Sequence, residues 1–450
     1  MDNGGSALLE RFPAMSSWDF RRIFVNGFFT TGSRWAQVLA RGWLVHELSG
    51  GSTGAVGIVT FASFIPFVVV GPFAGAIADR FNRRRLLIWA TVFGVAGATV
   101  LATITIADIV EVWHVVVLAF ATGSAQAATV PTRQALIANV VPTEHLLNAI
   151  ALGGISQHGS RVIGPLFGAA FLNTLGAGSV FLVSAVLLVF GLIEAIRIRY
   201  RPARDSATDI ADSTQGNDEL LSTVARRLVG DLASAGRYVR ADRRLLTTIG
   251  LVGAHCSLTM AFDSMMPALS EKVGGSATLY SAILIGLGAG AIAGTITVSQ
   301  LRRDRTRGAI FAGVGFGSGL AMVIMGAAVT PIGVVIGAIL AGLTQASYMT
   351  MSASLVQSIV SDEYRGRVMS FYIMIAAGHM AILNLGYGRL AEIIDVRILL
   401  VVPGLAWILV LGVALGSMGE VRSLVRRGRF TSMAEALPLR ASWFPPIPGA

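Results

Sequence analysis

The sequence predicts an all-α membrane protein of twelve transmembrane helices, arranged as two six-helix bundles. Three observations carry that prediction. Of 450 residues, 54% are hydrophobic and only 13% are charged, whereas a soluble chain carries roughly 25% charged residues. That leaves too little polar surface to coat a water-soluble globule. Twelve apolar runs are long enough to cross a bilayer, which takes roughly 20 residues. The basic residues gather at alternate ends of those runs.

The runs fall at 22–47, 55–78, 86–107, 112–138, 147–174, 178–198, 245–270, 277–300, 308–328, 332–358, 367–391 and 396–418. Gly71-Pro72, Gly164-Pro165, Pro66 and Pro267 lie within them, as spanning helices tolerate. The N-terminus, the even-numbered turns and the C-terminal tail together hold 29 of the 35 Lys and Arg; the opposite side holds Lys272, Arg389 and Arg397. Omitting the ten in the long central loop still leaves 19 against 3. Basic loops stay in the cytoplasm, so both termini are expected there. The first run is too long for a signal sequence and is followed by many more, so no separate targeting peptide is expected.

The net charge of +10, from 34 Arg and one Lys, thus reflects topology and not a nucleic-acid partner. Cys256 is the only cysteine; it excludes an intrachain disulfide and a multi-thiolate metal site, and its apolar setting reads as an inert thiol.

The predicted organisation is an N-terminal bundle over 1–198, a cytoplasmic linker over 199–244, a C-terminal bundle over 245–418 and a cytoplasmic tail over 419–450. The linker begins with a polar stretch, 201–218, of flexible composition. It continues with Leu220, Val224, Leu228, Leu232 and Ala235 at helical spacing among arginines, which predicts an amphipathic helix on the cytoplasmic face. The two halves echo each other: Glu47 to Ser52 matches Glu271 to Ser276 at an offset of 224, and Gly123 to Ala127 matches Gly342 to Ala346 at 219.

The turn after the second run reads Gly75-Ala76-Ile77-Ala78-Asp79-Arg80-Phe81-Asn82-Arg83-Arg84-Arg85. It resembles the signature of the major facilitator superfamily, with Asn82 where that family usually has Gly. Asn tolerates the left-handed backbone such a turn needs. The resemblance implies a cytoplasmic gate in which Asp79 faces the N-terminus of the eleventh helix, near Arg367, while the basic cluster anchors to headgroups. A plain basic loop is the alternative. The equivalent turn of the second half, Gln300 to Arg305, has lost the pattern. Further stretches are similar to the bacterial enterobactin-exporter and macrolide-efflux branch: Gly42 to Val45, Pro131-Thr132-Arg133-Gln134-Ala135, Leu147 to Leu152, Arg161 to Pro165, and Arg365-Gly366-Arg367-Val368-Met369-Ser370. This implies a secondary transporter in the bacterial cytoplasmic (inner) membrane, commonly an exporter and commonly proton-coupled as an antiporter, acting as a monomer without a cofactor.

Ionisable residues inside a span cost at least ~2.5–3.5 kcal/mol and are read as functional by default. Arg34 and Arg41 lie on the first span, Arg161 on the fifth and Asp263 on the seventh. Arg41 is ten residues before Gly51 and Asp263 twelve before the equivalent Gly275, a depth difference of about 3 Å. Arg41 is therefore the expected partner of Asp263. Asp263 is either a protonation and coupling carboxylate or one side of a static ion pair. Three arginines against one aspartate suit an anionic cargo such as a siderophore or drug, although Arg161 also fits a structural role. Gln37, Gln126, Gln345 and Asn384 are uncharged candidates for the cavity or for interhelical hydrogen bonds. His158, His255 and His379 are too scattered for a metal site.

The one lysine, Lys272, lies between Glu271 and Val273, so no phosphate-binding loop of the ATP-driven kind exists. No catalytic constellation is present, and an enzyme is not expected. A nutrient-uptake permease and a non-transporting receptor or assembly factor remain alternatives to export.

Overall fold

The computed structural model describes residues 12–71, 73, 82–200, 230–300 and 304–427. Nine of its helices are long and apolar enough to cross a membrane. They are α3 (Arg83–Ile106), α4 (Val112–Val140), the long α5 (Leu146–Arg197), the broken pair α7 (Arg243–His255) and α8 (Met266–Lys272), then α9 (Ala277–Ser299), α10 (Asp304–Ala327), α11 (Pro331–Ile359), α12 (Asp362–Leu390) and α13 (Ile398–Ser417). The apolar part of α5 covers 46 residues, about 69 Å of helix, twice a bilayer's hydrocarbon thickness. Gly176 sits inside it at φ 77°, a backbone state open to glycine, and turns it into two spans. Two more spans are α2 (Thr53–Val69), whose helix is shorter, and α1 (Trp18–Leu48). Twelve spans result, as predicted.

Helix α1 is less apolar because it does not face lipid. Asn26, Thr30, Thr31, Ser33, Gln37, Arg41 and His46 are all buried along it. Such polar residues inside a membrane protein turn toward protein or a water-filled cavity, which places α1 at the centre. The lipid-facing role falls to helices such as α3, with Trp89 and Phe93 exposed.

The seventh span is the most distorted. It runs from α7 through a π-turn, Cys256–Met260, and a 3-10 turn, Asp263–Met265, into α8. Pro267 accounts for the 3-10 turn: its ring excludes the carbonyl four residues back, that of Asp263. The backbone groups released are met by side chains of neighbouring helices. Gln345 on α11 donates to the Thr259 carbonyl, and Asn384 on α12 accepts from the Ser264 amide at 3.0 Å. This is how interrupted helices survive where water is scarce.

Among the described residues the two halves share a core at one end only. Near the arginine-poor face one apolar cluster joins Trp43 and Leu44 of α1 and Val56 of α2 to Leu269 of α8, Ile283 of α9 and Leu400 of α13. Near the arginine-rich face the cores are separate: Ile23, Leu87 and Leu136 in the first half, Leu245, Val356 and Val368 in the second. Polar contacts join the halves at the arginine-poor face. They are His46 with Glu271 (2.9 Å), Ser52 with Glu392 (2.7 Å), Thr53 with the Gly388 carbonyl (2.7 Å) and Thr278 with Asn173 (3.1 Å). Helices α2 and α12 touch there backbone to backbone, glycine on glycine, at Gly57 and Gly388.

The expected amphipathic helix is present as α6, residues 230–241; Leu220, Val224 and Leu228 lie outside the described residues. It docks on the second half in place of lying free on a membrane surface. Ala235 and Val239 are buried with Leu245 and Ile249. Tyr238 stacks on Tyr364 at 4.5 Å, and Asp231 pairs with Arg367 at 3.1 Å. A short helix, α14 (Gly419–Arg427), closes the described chain.

Candidate functional site

The break in the seventh span brings Asp263 to the seam between the halves. The side-chain amide of Asn384 on α12 lies beside its carboxylate, and the guanidinium groups of Arg161 on α5 and Arg34 on α1 face it electrostatically. Both arginines lie on aromatic rings. The Arg161 guanidinium is 4.6 Å from the Trp35 ring centre, and that of Arg34 is 5.2 Å from Phe67 and 5.8 Å from Trp35. A desolvated cation–π contact contributes about 2 kcal/mol, below the ~2.5–3.5 kcal/mol cost of an arginine at mid-membrane. Asp263 supplies part of the balance. Neither guanidinium donates a hydrogen bond to a described protein group, so their planar donor forks stay available for a carboxylate, sulfonate or phosphate. Tyr280 of α9 closes the seam toward the arginine-poor face, stacked on Trp43 at 6.2 Å and lying against Gly42.

Arg41 departs from its expected role. Its guanidinium donates to Gln37 Oε1 (2.9 Å), the Gln37 carbonyl (3.3 Å) and Thr122 Oγ1 (3.3 Å) within its own half. Gln37 donates in turn to Ser33, and Ser33 to the Ser184 carbonyl. Depth arithmetic locates a Cα, but an arginine head sits on a long flexible stem and goes where its hydrogen bonds are. The pair predicted as Arg41 with Asp263 is therefore Arg161 and Arg34 with Asp263. Arg34, Gln37, Arg41 and Gln126 do share one narrow cavity of about 50 Å³, space for a few waters.

A helical array of this kind, charged at its seam and open in its core toward one face, has a clear counterpart among known proteins. The family profile of transmembrane secretion effectors matches residues 11–432. The chain belongs to this family of major facilitator transporters. Macrolide efflux protein A of Enterococcus faecalis is 21% identical over 69% of this chain and 93% of its own. The uncharacterised transporter YfiS of Bacillus subtilis is 23% identical over 36% of this chain, and the match spans only 37% of that relative. A POT family transporter solved with a thioalcohol-conjugated peptide superposes with a TM-score of 0.69 at 11% identity, covering 89% of this chain and 96% of its own; at that identity the likeness is one of fold. These are transporters and not enzymes, and the efflux resemblance read from the sequence stands.

Only part of the expected gate motif falls among the described residues. Gly75, Asp79 and Arg80 lie outside the described residues. Asn82 does not take the left-handed backbone expected of it. At φ −60° it is the N-cap of α3, accepting from the amides of Arg84 and Arg85, and so satisfies donors a glycine would leave open. Arg84 donates to the Ile196 carbonyl at the end of α5; Arg83 is also engaged, and Arg85 is exposed. Arg367 holds α6 through Asp231. Arg133, expected at the cytoplasmic gate, is half-buried. It donates to Thr30 of α1 at 3.1 Å and lies in the field of Arg34.

Gln345 is committed to the Thr259 carbonyl and away from the charged seam. Nδ1 of His379 is hydrogen-bonded to the Ile375 carbonyl, and His255 packs between Tyr348 and Trp407; the side chain of His158 lies outside the described residues. No group that could hold a metal occurs among the described residues. Sequence reasoning missed Trp35, Phe67, Thr122 and Tyr280. The adjacency of Arg34 and Trp35 inside a span was the available signal.

Proposed function

We propose that this transporter exports a small organic anion by alternating access, its arginine-rich face lying in the cytoplasm of the bacterial inner membrane. Bundles 1–198 and 245–418 rock about the Asp263 seam, with 199–244 as their connection. The observation that carries the reading is the pair of uncommitted guanidinium groups, Arg34 and Arg161, stacked on Trp35 and opposed by Asp263 alone. In the empty carrier Asp263 serves as their internal counter-ion. A cargo anion displaces it, and its planar part lies on Trp35 or Phe67. A cationic drug would meet the fields of Arg34, Arg41, Arg133 and Arg161 against one carboxylate.

The proton enters by linkage. Cargo and the Asp263 carboxylate compete for the same two arginines, so protonating Asp263 hands them to the cargo, and cargo binding favours the proton by the same factor. Cargo affinity therefore rises as Asp263 is protonated, and transport depends on pH through that carboxylate.

The experiment is uptake into inverted vesicles of lucifer yellow, an impermeant aromatic disulfonate, beside ethidium as a cation. Lucifer yellow accumulates, ethidium does not, and Asp263→Asn removes the pH dependence of the rate. Equal transport of both dyes would sink the anion reading. An unchanged pH profile in Asp263→Asn would sink the coupling role.

A further inference from the structure

A second cavity, of about 500 Å³, lies between α1, α4 and α5 on the arginine-rich side of the seam. Its volume falls within the ~300–1,000 Å³ usual for small-molecule sites. Phe20 and Phe24 of α1 and Ile137 of α4 give it an apolar wall, and Arg133 is its cation. Arg133 spends one donor on Thr30 and keeps the rest of its fork. Ser156 of α5 also lines the cavity; the residue is 5% exposed and its buried hydroxyl has no hydrogen-bond partner among the described residues. A buried orphan hydroxyl beside a cation is a costly arrangement that a bound anion would satisfy.

We infer that this cavity is a cytoplasm-side loading site, in which Arg133 and Ser156 hold the anionic group of the cargo and Phe20 and Phe24 its apolar part. The inference rests on the anion-export reading. Thr30, the anchor of Arg133, is one helical turn from Arg34, about 6 Å along α1, and Arg133 lies in the field of Arg34. The anion is thus passed from one guanidinium to the next without crossing an uncharged gap. The site also selects: a cargo that fails to pair with Arg133 is repelled or ignored before it reaches the seam.

The test reads the site without transport. Cys256 is fully buried and is the only cysteine, so a Cys256→Ala chain with Gln157→Cys, at the cavity mouth, carries one accessible thiol. In phosphatidylcholine nanodiscs an anionic methanethiosulfonate is expected to label it about 10-fold faster than a cationic one, relative to free cysteine, the low end of electrostatic focusing. Lucifer yellow slows the labelling. Arg133→Gln abolishes both effects, Arg133→Lys retains the charge preference, and Arg161→Gln leaves both intact. Rates independent of reagent charge, or protection that survives Arg133→Gln, overturn the proposal. Protection by anionic phosphatidylglycerol but not by lucifer yellow would make it a lipid headgroup site and overturn it equally. If the labelling behaves as expected while the vesicles transport no lucifer yellow, the export reading fails and the anion site stands.

Discussion

Gly388→Ala tests the contact that closes the arginine-poor face. A Cβ at Gly388 would stand 2.6 Å from the Thr53 carbonyl oxygen and 3.1 Å from the Gly57 Cα, where ordinary contacts need about 3.5 Å or more. Helices α2 and α12 must separate by roughly 0.5–1 Å, because the obstacle is backbone and cannot rotate away. Overpacking of this kind costs about 1–3 kcal/mol. The same shift stretches the Thr53 hydroxyl bond to the Gly388 carbonyl, now 2.7 Å, worth about 1 kcal/mol. The sum, about 2–4 kcal/mol, falls on the state closed at this face and not on one in which the helices have parted. It shifts the equilibrium between those states by about 30- to 700-fold. Spin labels at Gly50 and Ile393, read by pulsed electron resonance, should report one short distance in the parent and a second, longer one in the variant. An unchanged single distribution would refute the assignment of this contact as the outer closure.

Three further outcomes follow from the packing. Glu194→Gln removes the charge partner of Arg22, paired at 2.7 Å with both side chains mostly buried; it should lower stability by about 1.5–3 kcal/mol, read as a lower melting temperature in detergent, and an unchanged melting curve would contradict it. Gln345→Leu leaves the Thr259 carbonyl of the π-turn without its donor and should cost about 1–3 kcal/mol; if Gln345 instead binds cargo, transport falls while melting does not. The hydrogen bond from Lys272 holds the Asp395 carboxyl below its ordinary value of 3.8. Its small contribution is full above that value and fades as pH falls through the lowered one, so Lys272→Met should melt below the parent at pH 7 and match it near pH 2.

The spans were legible because hydrophobic length is a one-dimensional property of a chain in lipid. The site was legible in part, and for specific reasons. Arg34, Arg161 and Asp263 announced themselves as charges within apolar runs, and Pro267, four residues past Asp263, marked where the seventh span would break. Arg41 carried the same signal and yet serves its own half, because Gln37 and Thr122 lie within its reach. Arg133 lay inside the fourth run, 112–138, and its contact with Thr30 of α1 depends on how two helices pack. Trp35 and Phe67 carried no signal of their own, since an aromatic residue within an apolar run does not show which way it faces.

By itself the sequence determined twelve apolar spans and their membrane setting, because hydrophobic length acts locally. Only the tertiary structure decided which arginine meets Asp263, that Asn82 caps a helix, and that the halves share a core at one face and part at the other. Those depend on where side-chain heads end up around helix axes, and in a bundle without water the last hydrogen bond available, not the spacing along the chain, decides it.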